Sequence, residues 1–211
     1  MKKIQPLLNN EVLTIKDLLS FVNHKDEEIR IAVAENPNVS SSILRILSED
    51  MSERVKRVVA ESHKTAPSTL DFLAKSTNDE YVLSAIAWND NAKPSTLDYL
   101  YKLNSKKITA GLSLNKNSSE DLLHSIALGT NTFFKKYVAE NESTAPETLD
   151  YLAKENNSTL IKIEVAKNSS TSIDTLFYLA NLKDPELYYP IKTNINLTEE
   201  LFQLINKLEY Q

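Results

Sequence analysis

Apolar and polar residues alternate along this chain in a pattern that repeats every 26 or 27 residues. The clearest copy runs from Asn131 to Ala153 and reads NTFFKKYVAENESTAPETLDYLA. Each copy contains one polar residue that defines its reference position, and this residue is asparagine in every copy but one. The reference residues are Asn10, Asn36, Ser62, Asn89, Asn115, Asn141, Asn168 and Asn194. A period of this length is typical of proteins built from stacked structural repeats.

Four positions of the repeat are apolar in nearly every copy. They lie seven and three residues before the reference position, and eight and eleven residues after it. In the copy around Asn141 they are Phe134, Val138, Leu149 and Leu152. Because apolar residues three or four apart lie on one face of an α-helix, each repeat is predicted to contain helix A before the reference position and helix B after it. In the last copy, Phe202 is the predicted inward-facing residue at position +8.

The predicted helix boundaries carry residues that favour helix starts. Ten residues before the reference position, every complete copy has Asp, Ser or Asn, whose side chain can accept a hydrogen bond from a free amide of the first turn. Helix B is predicted to begin near position +3, where Thr144 and Glu147 form a predicted capping box. Pro67, Pro94 and Pro146 belong to the same first turn, where a missing amide hydrogen costs little.

We expect one all-α solenoid domain over residues 1–211, with seven two-helix repeats and an N-terminal half repeat. Residues 1–25 supply the half repeat, residues 26–182 the first six repeats, and residues 183–211 the repeat that caps the C-terminal end. End repeats are expected to be atypical because each has one neighbour only. Gly111 predicts a local bend or soft spot in one helix A, and Pro190 should distort the last helix A.

The segments VAENPNVSSSILRIL (residues 33–47) and VAENESTAPETLDYLA (residues 138–153) resemble the leucine-rich repeat variant family, whose unit reads approximately V-R-x-x-V-A-x-N-P-x-T-P-x-x-x-L-x-x-L-A. HEAT and armadillo arrays are more loosely similar. The resemblance covers about residues 7–208, although the Asn-Pro step is kept only at Asn36-Pro37. It implies an α-solenoid and implies no reaction. Since the unit here is longer than that of the family, we expect helix B to be a full α-helix.

The composition excludes several kinds of active site. The chain has no cysteine, which removes thiolate metal sites, iron–sulfur clusters and cysteine nucleophiles. The histidines His24, His63 and His124 occupy different repeat positions, so none of them forms a pair with metal-ligand spacing. Two glycines are too few for a phosphate-binding loop. We therefore expect no metal, no cofactor and no catalytic residue, and we predict that the protein is not an enzyme.

Charge and hydropathy also narrow the range of partners. A net charge of −5 gives no general attraction to nucleic acid or to an anionic membrane. No stretch approaches the ~20 apolar residues that a transmembrane helix needs. Polar residues interrupt the apolar stretch near the N-terminus that a signal peptide would require. We expect no membrane partner and a cytoplasmic location.

Two roles fit the repeated asparagine. As a functional feature, the asparagines would form a ladder of side chains that binds a ligand. As a structural feature, each would end helix A, adopt a left-handed backbone conformation and hydrogen-bond the following turn. The structural role is favoured, because asparagine commonly occupies such turns.

Position +10 of helix B is about 200° around the helix from the inward-facing position +8. It is mostly aromatic, and position +9 beside it is often acidic. Aromatic residues dominate interface energies, and acidic residues steer basic partners. We call positions +9 and +10 together the helix B surface and predict that it binds a protein or peptide. The candidate contact residues, with the exposed-looking Trp88 of helix A, are Asp71, Phe72, Trp88, Asp98, Tyr99, Asp150, Tyr151 and Tyr178. The alternative is that neighbouring repeats cover these rings and that the rings serve packing.

Position −6 of helix A is basic in four copies, and these residues form the basic column: Arg30, Lys56, Lys135 and Lys162. A strip of cations would bind phosphate, so the alternative function is that of a nucleic-acid-binding HEAT-like repeat protein. Leu83 and Thr109 interrupt the column. Long basic side chains also commonly pack their stems between helices and pair with nearby carboxylates. Nucleic acid is therefore the less favoured partner.

Overall fold

The computed structural model describes residues 13–155 and 158–209. Within these residues the chain forms fifteen α-helices and no β-strand. They are α1 (Ile15–Leu19), α2 (Glu27–Glu35), α3 (Ser41–Leu47), α4 (Glu53–Glu61), α5 (Pro67–Ser76), α6 (Glu80–Trp88), α7 (Pro94–Tyr101), α8 (Lys106–Leu114), α9 (Glu120–Ala127), α10 (Thr132–Glu140), α11 (Pro146–Glu155), α12 (Thr159–Lys167), α13 (Ile173–Asn181), α14 (Pro185–Lys192) and α15 (Glu199–Glu209). The predicted all-α fold is confirmed, and every helix B described is a full α-helix, as expected.

The chain divides into two compact units, Met1–Gly111 and Leu112–Gln211, and the division falls inside α8. In unit 1, α2, α4 and α6 are helices A, and α3, α5 and α7 are helices B. In unit 2, α10, α12 and α14 are helices A, and α9, α11, α13 and α15 are helices B. The organisation of residues 1–211 as a single domain stays a prediction.

Helices A pack side by side within each unit, and helices B form a second layer. In unit 1, α4 contacts α2 and α6 in its own layer and α3 and α5 in the other. In unit 2, α12 contacts α10 and α14 and also α11 and α13. Successive helices B contact each other as well, α5 with α7 and α11 with α13. This packing of neighbouring helices is that of a helical-repeat solenoid.

The predicted inward positions form the core between the two layers. In unit 1, Val55, Val59, Leu70 and Leu73 have no accessible surface. In unit 2, Val138, Leu149 and Leu152 are likewise fully buried, whereas Phe134 is partly buried. Burying one such side chain contributes about 1.5–3 kcal/mol before the entropy of ordering the chain is subtracted. Because each repeat supplies only a few of these residues, contacts with neighbouring repeats must provide much of its stability.

The last repeat departs from the prediction at position +8. Phe202 is 36% exposed, and Nζ of Lys192 lies 5.5 Å from the centre of its ring. Leu201, one residue earlier, is fully buried. Position +7 is buried in the preceding repeats as well, at Thr148 and Thr175, so the difference lies at position +8. In unit 2, α13 packs between α11 and α15, whereas α15 is the last helix B described, and an end repeat has fewer neighbours to cover its side chains. The prediction that Phe202 faces inward is therefore wrong.

The helix starts agree with the sequence in part. Asp26, Asp79, Asn131 and Asp184 accept hydrogen bonds from first-turn amides of helices A, whereas Ser52 and Ser158 make no such bond.

The capping box predicted for helix B is wrong. Helix α11 begins at Pro146, two residues after Thr144, so Thr144 is not its N-cap. The Thr144 hydroxyl instead donates to the carbonyl of Val138 at 2.6 Å. The last carbonyls of a helix lack partners within that helix, and this hydroxyl satisfies one of them.

Gly111 and Pro190 do not interrupt their helices. A Cβ added to Gly111 would lie 2.9 Å from Cβ of Ala87 and 3.0 Å from Cδ1 of Trp88, so the missing side chain lets the two backbones approach closely. Pro190 lies inside α14, which ends at Lys192, one residue earlier than the other helices A relative to the reference position.

Part of the predicted N-terminal half repeat is described. Helix α1 begins after Thr14, whose hydroxyl accepts a hydrogen bond from the amide of Asp17, and Leu18 is buried. The matching residues Leu7 and Asn10 lie outside the described residues. None of the helices in residues 13–155 and 158–209 combines the length and the apolar character that crossing a membrane requires.

Candidate functional site

The reference asparagines connect successive repeats. In unit 2, Nδ2 of Asn168 donates to the carbonyls of Ala139 and Asn141 at 2.8 and 2.9 Å. Its Oδ1 accepts a hydrogen bond from the amide of Ser170 at 2.9 Å. Asn141 and Asn194 make the same three bonds, and all three side chains are buried. These asparagines form a structural ladder, as favoured from the sequence, and their polar atoms face protein groups.

The backbone of the ladder differs from the prediction. Asn141 is extended, with φ −74° and ψ 121°, and Asn36, Asn89 and Asn168 have similar angles. The left-handed conformation occurs instead at Asn104, with φ 53°, and Lys183, with φ 56°, where helix B gives way to the next helix A. The extended backbone directs Oδ1 toward the turn and Nδ2 toward the preceding repeat, so the prediction of a left-handed asparagine is wrong.

Ser62 stands where the other copies have asparagine, and the ladder is incomplete there. Its hydroxyl accepts a hydrogen bond from the amide of Lys64 at 3.3 Å, which corresponds to the turn bond of the asparagines. Beside it lies a cleft of 270 Å³ whose lining includes Ala34, Asn36 and Ser62. By analogy with the other repeats, the carbonyls of Ala34 and Asn36 are the acceptors that a longer amide side chain would reach.

Replacing Ser62 with asparagine is therefore expected to stabilise the protein by about 1 kcal/mol, the net contribution of a typical hydrogen bond. Urea denaturation followed by circular dichroism measures the change. Ser62→Ala is the control, because it removes the turn bond and supplies no new donor, and it should lower stability. A Ser62→Asn variant no more stable than the wild type would contradict the prediction.

The acids at position +9 are held by the next repeat. In unit 1, Asp71 accepts a hydrogen bond from the Thr96 hydroxyl at 3.1 Å and pairs with Lys75 at 2.7 Å. The bond from Lys75, supported by Thr96, holds the pKa of the Asp71 carboxyl below its usual value despite partial burial. In unit 2, Asp150 accepts from Thr175 at 3.0 Å and pairs with Lys154 at 2.8 Å. These carboxylates connect repeats, and Asp98 is half-buried at the same position.

In unit 1 the aromatic residues at position +10 are partly covered. The guanidinium carbon of Arg45, from the preceding repeat, lies 4.3 Å from the centre of the Phe72 ring. A cation at this distance is attracted to the face of an aromatic ring. Tyr99 is 37% exposed. A neighbouring repeat therefore covers one side of Phe72, whereas Tyr99 remains accessible, and the binding role of this position stays a prediction.

In unit 2 the corresponding rings are half-buried. Tyr151 makes an edge contact with the His124 ring, their centres being 6.0 Å apart, and Nζ of Lys135 lies 5.7 Å from its centre. Nζ of Lys154 lies 5.8 Å from the centre of the Tyr178 ring. Each ring is therefore held by a neighbouring side chain and keeps part of its surface open to solvent.

Trp88 lies apart from the helix B surface, on the outer side of α6. It is 52% exposed, and Tyr81 on the same helix is 57% exposed. Together with Arg57 and Ser84 they line a cleft of 310 Å³ in unit 1. Tyr81 was not among the residues predicted from the sequence, because position −8 has no consistent chemical character in the other repeats.

Among solved structures, the chain is similar to "a leucine-rich repeat variant with a novel repetitive protein structural motif". The TM-score is 0.58 and the identity 19%, and the match covers 86% of this chain and 71% of that one. The fold resembles that of a leucine-rich repeat variant. At 19% identity, this similarity shows the fold alone. For the fold, it confirms the resemblance that the sequence motif led us to expect. No family model matches the chain, and no curated protein does.

In this leucine-rich repeat variant fold, the basic column does not form a strip of solvent-exposed cations. Arg30 is 8% exposed and donates to Asp50 at 2.5 and 2.8 Å and to the carbonyl of His24 at 2.7 Å. Lys56 pairs with Glu53 at 2.8 Å, and its side chain is 14% exposed.

In unit 2, Lys135 lies over the Tyr151 ring and Lys162 is half-buried. In the part of the chain that the structure describes, no three His, Asp or Glu side chains are arranged to hold a metal ion.

Charge is distributed unevenly over helices B of this fold. In unit 1, helices α3, α5 and α7 carry two carboxylates against two cations. In unit 2, helices α9, α11, α13 and α15 carry nine carboxylates against two lysines. Helices A of unit 2, α10, α12 and α14, carry five lysines against three glutamates. The negative charge of unit 2 is therefore concentrated in its layer of helices B.

Proposed function

We propose that this protein is a non-enzymatic scaffold that binds a protein or peptide along its helix B surface. The observation that carries the proposal is the aromatic position +10, where four of the seven repeats have a partly exposed ring, at Phe72, Tyr99, Tyr151 and Tyr178. Rigid aromatic side chains contribute binding area with little loss of conformational entropy, and they are enriched among the residues that dominate interfaces. A repeat array suits this role because each repeat presents the same position to a long partner.

The charge of unit 2 supports a basic partner. Nine carboxylates on its helices B face few cations, so the potential near this surface is negative. Such a surface attracts basic segments during association and disfavours acidic ones. Tyr151 and Tyr178 lie within this surface and supply its apolar contacts.

The basic column gives less support to nucleic-acid binding. Phosphate recognition needs cations that reach solvent, because binding releases the counterions of the phosphates. Arg30 and Lys56 are already paired with carboxylates of unit 1. The helical-repeat fold supports a non-enzymatic role for a separate reason, because its recurring positions serve the packing of helices.

A pull-down with a matched control tests the proposal. The double variant Tyr151→Ala/Tyr178→Ala removes the rings of unit 2, and Tyr189→Ala removes a 76% exposed tyrosine from helix α14 of the same unit. We expect proteins retained by the wild type to be lost by the double variant and kept by Tyr189→Ala. Circular dichroism confirms that each variant is folded. Equal retention by the double variant would show that binding uses another surface.

A further inference from the structure

Four carboxylates of unit 2 stand at position +6, in the first turn of successive helices B. They form the acidic column, Asp121, Glu147, Asp174 and Glu200. All four are exposed. Unlike Asp150, which bonds to Thr175 and Lys154, these side chains have no hydrogen bond or ion pair with any described residue. Their charges therefore remain available to an external partner.

Helix formation does not explain the column. A carboxylate in the first turn of a helix interacts favourably with the helix dipole. Unit 1, however, has Ser42, Ser68 and Ser95 at the same position of its helices B, and those helices form with the same starting point. The acids are thus a property of unit 2, and the same unit carries the surplus of carboxylates on helices B.

The acidic column runs beside the aromatic position. Residues four apart lie on one face of a helix, so Glu147 neighbours Tyr151 and Asp174 neighbours Tyr178. This pairing suits a lysine or arginine side chain of a partner. Its aliphatic stem can lie along the ring while its charged end reaches the carboxylate.

The spacing of the helices sets the spacing of the partner's charges. Successive helices B contact each other in unit 2, and packed helices lie about 8–10 Å apart. An extended chain rises about 3.3 Å per residue, and a polyproline II chain repeats its side-chain direction about every 9 Å, after three residues. Every third residue of such a chain therefore meets the next carboxylate.

We propose that unit 2 binds an extended protein segment with lysine or arginine at every third residue, each paired with one carboxylate of the acidic column, of which Glu147 and Asp174 lie beside the rings of Tyr151 and Tyr178. This inference rests on the proposed scaffold function and specifies its partner. The segment crosses α9, α11, α13 and α15 and keeps the same side of its chain toward them.

The test uses two synthetic peptides of equal length and composition. One peptide repeats the triplet Lys-Ser-Ser. The other has the same number of lysines in a Lys-Ser repeat, and its remaining serines follow that repeat. Fluorescence anisotropy with the full chain measures their dissociation constants. We expect the Lys-Ser-Ser peptide to bind at least about tenfold more tightly than the other, and its binding to weaken as salt is added.

Two matched variants locate the site. Glu147→Gln/Asp174→Asn/Glu200→Gln neutralises three of the four carboxylates of the column and should weaken binding of the Lys-Ser-Ser peptide by about tenfold or more. Glu35→Gln/Glu142→Gln/Glu186→Gln removes the same number of exposed carboxylates elsewhere and should leave binding nearly unchanged. Equal affinity for the two peptides, no binding of either, or equal loss in both variants would overturn the inference. If the pull-down still depends on Tyr151 and Tyr178 in that case, the scaffold function stands and only the partner's chemistry is wrong.

Discussion

Replacing Arg30 with methionine is expected to destabilise the protein by about 3–5 kcal/mol at neutral pH, which is the usual effect of breaking a buried ion pair by removing one partner. The side chains of Arg30 and Asp50 are 10% and 6% exposed, and two hydrogen bonds join them. Methionine preserves much of the volume of the arginine stem but leaves the Asp50 carboxylate buried without its cation. Urea denaturation monitored by circular dichroism measures the loss.

A double variant and a pH series test the cause. Arg30→Met/Asp50→Asn removes the unpaired charge and should recover part of the lost stability, whereas a general packing defect would not be relieved. Burial acts to raise the pKa of Asp50, but the hydrogen bonds from Arg30 and the Ser52 amide outweigh it and hold the pKa below its usual value. The stabilisation is thus complete above the unfolded pKa of about 3.9 and is lost as the pH falls through the lower folded value. The difference between the wild type and Arg30→Met should shrink in that acidic range.

The core and the helix order followed from the sequence because they depend on periodicity alone. An inward position such as that of Val59 or Leu149 recurs at one place in every repeat, and its burial needs no knowledge of neighbouring side chains. Phe202 shows the limit of this reasoning. Positions +7 and +8 are both buried at Ile43 and Leu44 of an internal repeat, whereas Leu201 is buried and Phe202 is exposed in α15, the last helix B described. Burial at position +8 thus depends on the neighbouring repeats as well as on the periodicity.

Contacts between repeats were harder to predict. The bonds from Thr96 to Asp71 and from Thr175 to Asp150 join residues 25 apart, and their geometry depends on how two repeats pack. The recurrence of threonine at position +7 was a usable signal, since a buried hydroxyl needs a partner. The same argument applies to Arg30, whose partner Asp50 is 20 residues away. Asp71 and Asp150, which the sequence pattern placed on a partner-binding surface, thus also form hydrogen bonds that connect successive repeats.

Replacing Asn141 with alanine is expected to destabilise the protein by about 2–3 kcal/mol, because a buried polar group left without its partner costs about 1–3 kcal/mol. The change removes two bonds to the carbonyls of Ser113 and Asn115 and one bond from the amide of Ser143. A residue that only caps a helix end would contribute about 1 kcal/mol. Urea denaturation of the variant distinguishes these magnitudes.

Asn141→Ser separates the two roles of this side chain. Serine can still accept the turn bond, as Ser62 does from the amide of Lys64, but it cannot reach the carbonyls of the preceding repeat. If the asparagine only closes its turn, serine should restore almost all of the stability that alanine loses. If the ladder between repeats provides most of the effect, Asn141→Ser should recover about 1 kcal/mol and remain well below the wild type. Full recovery by serine would contradict the ladder, because the amide nitrogen is the atom that only asparagine provides at this position.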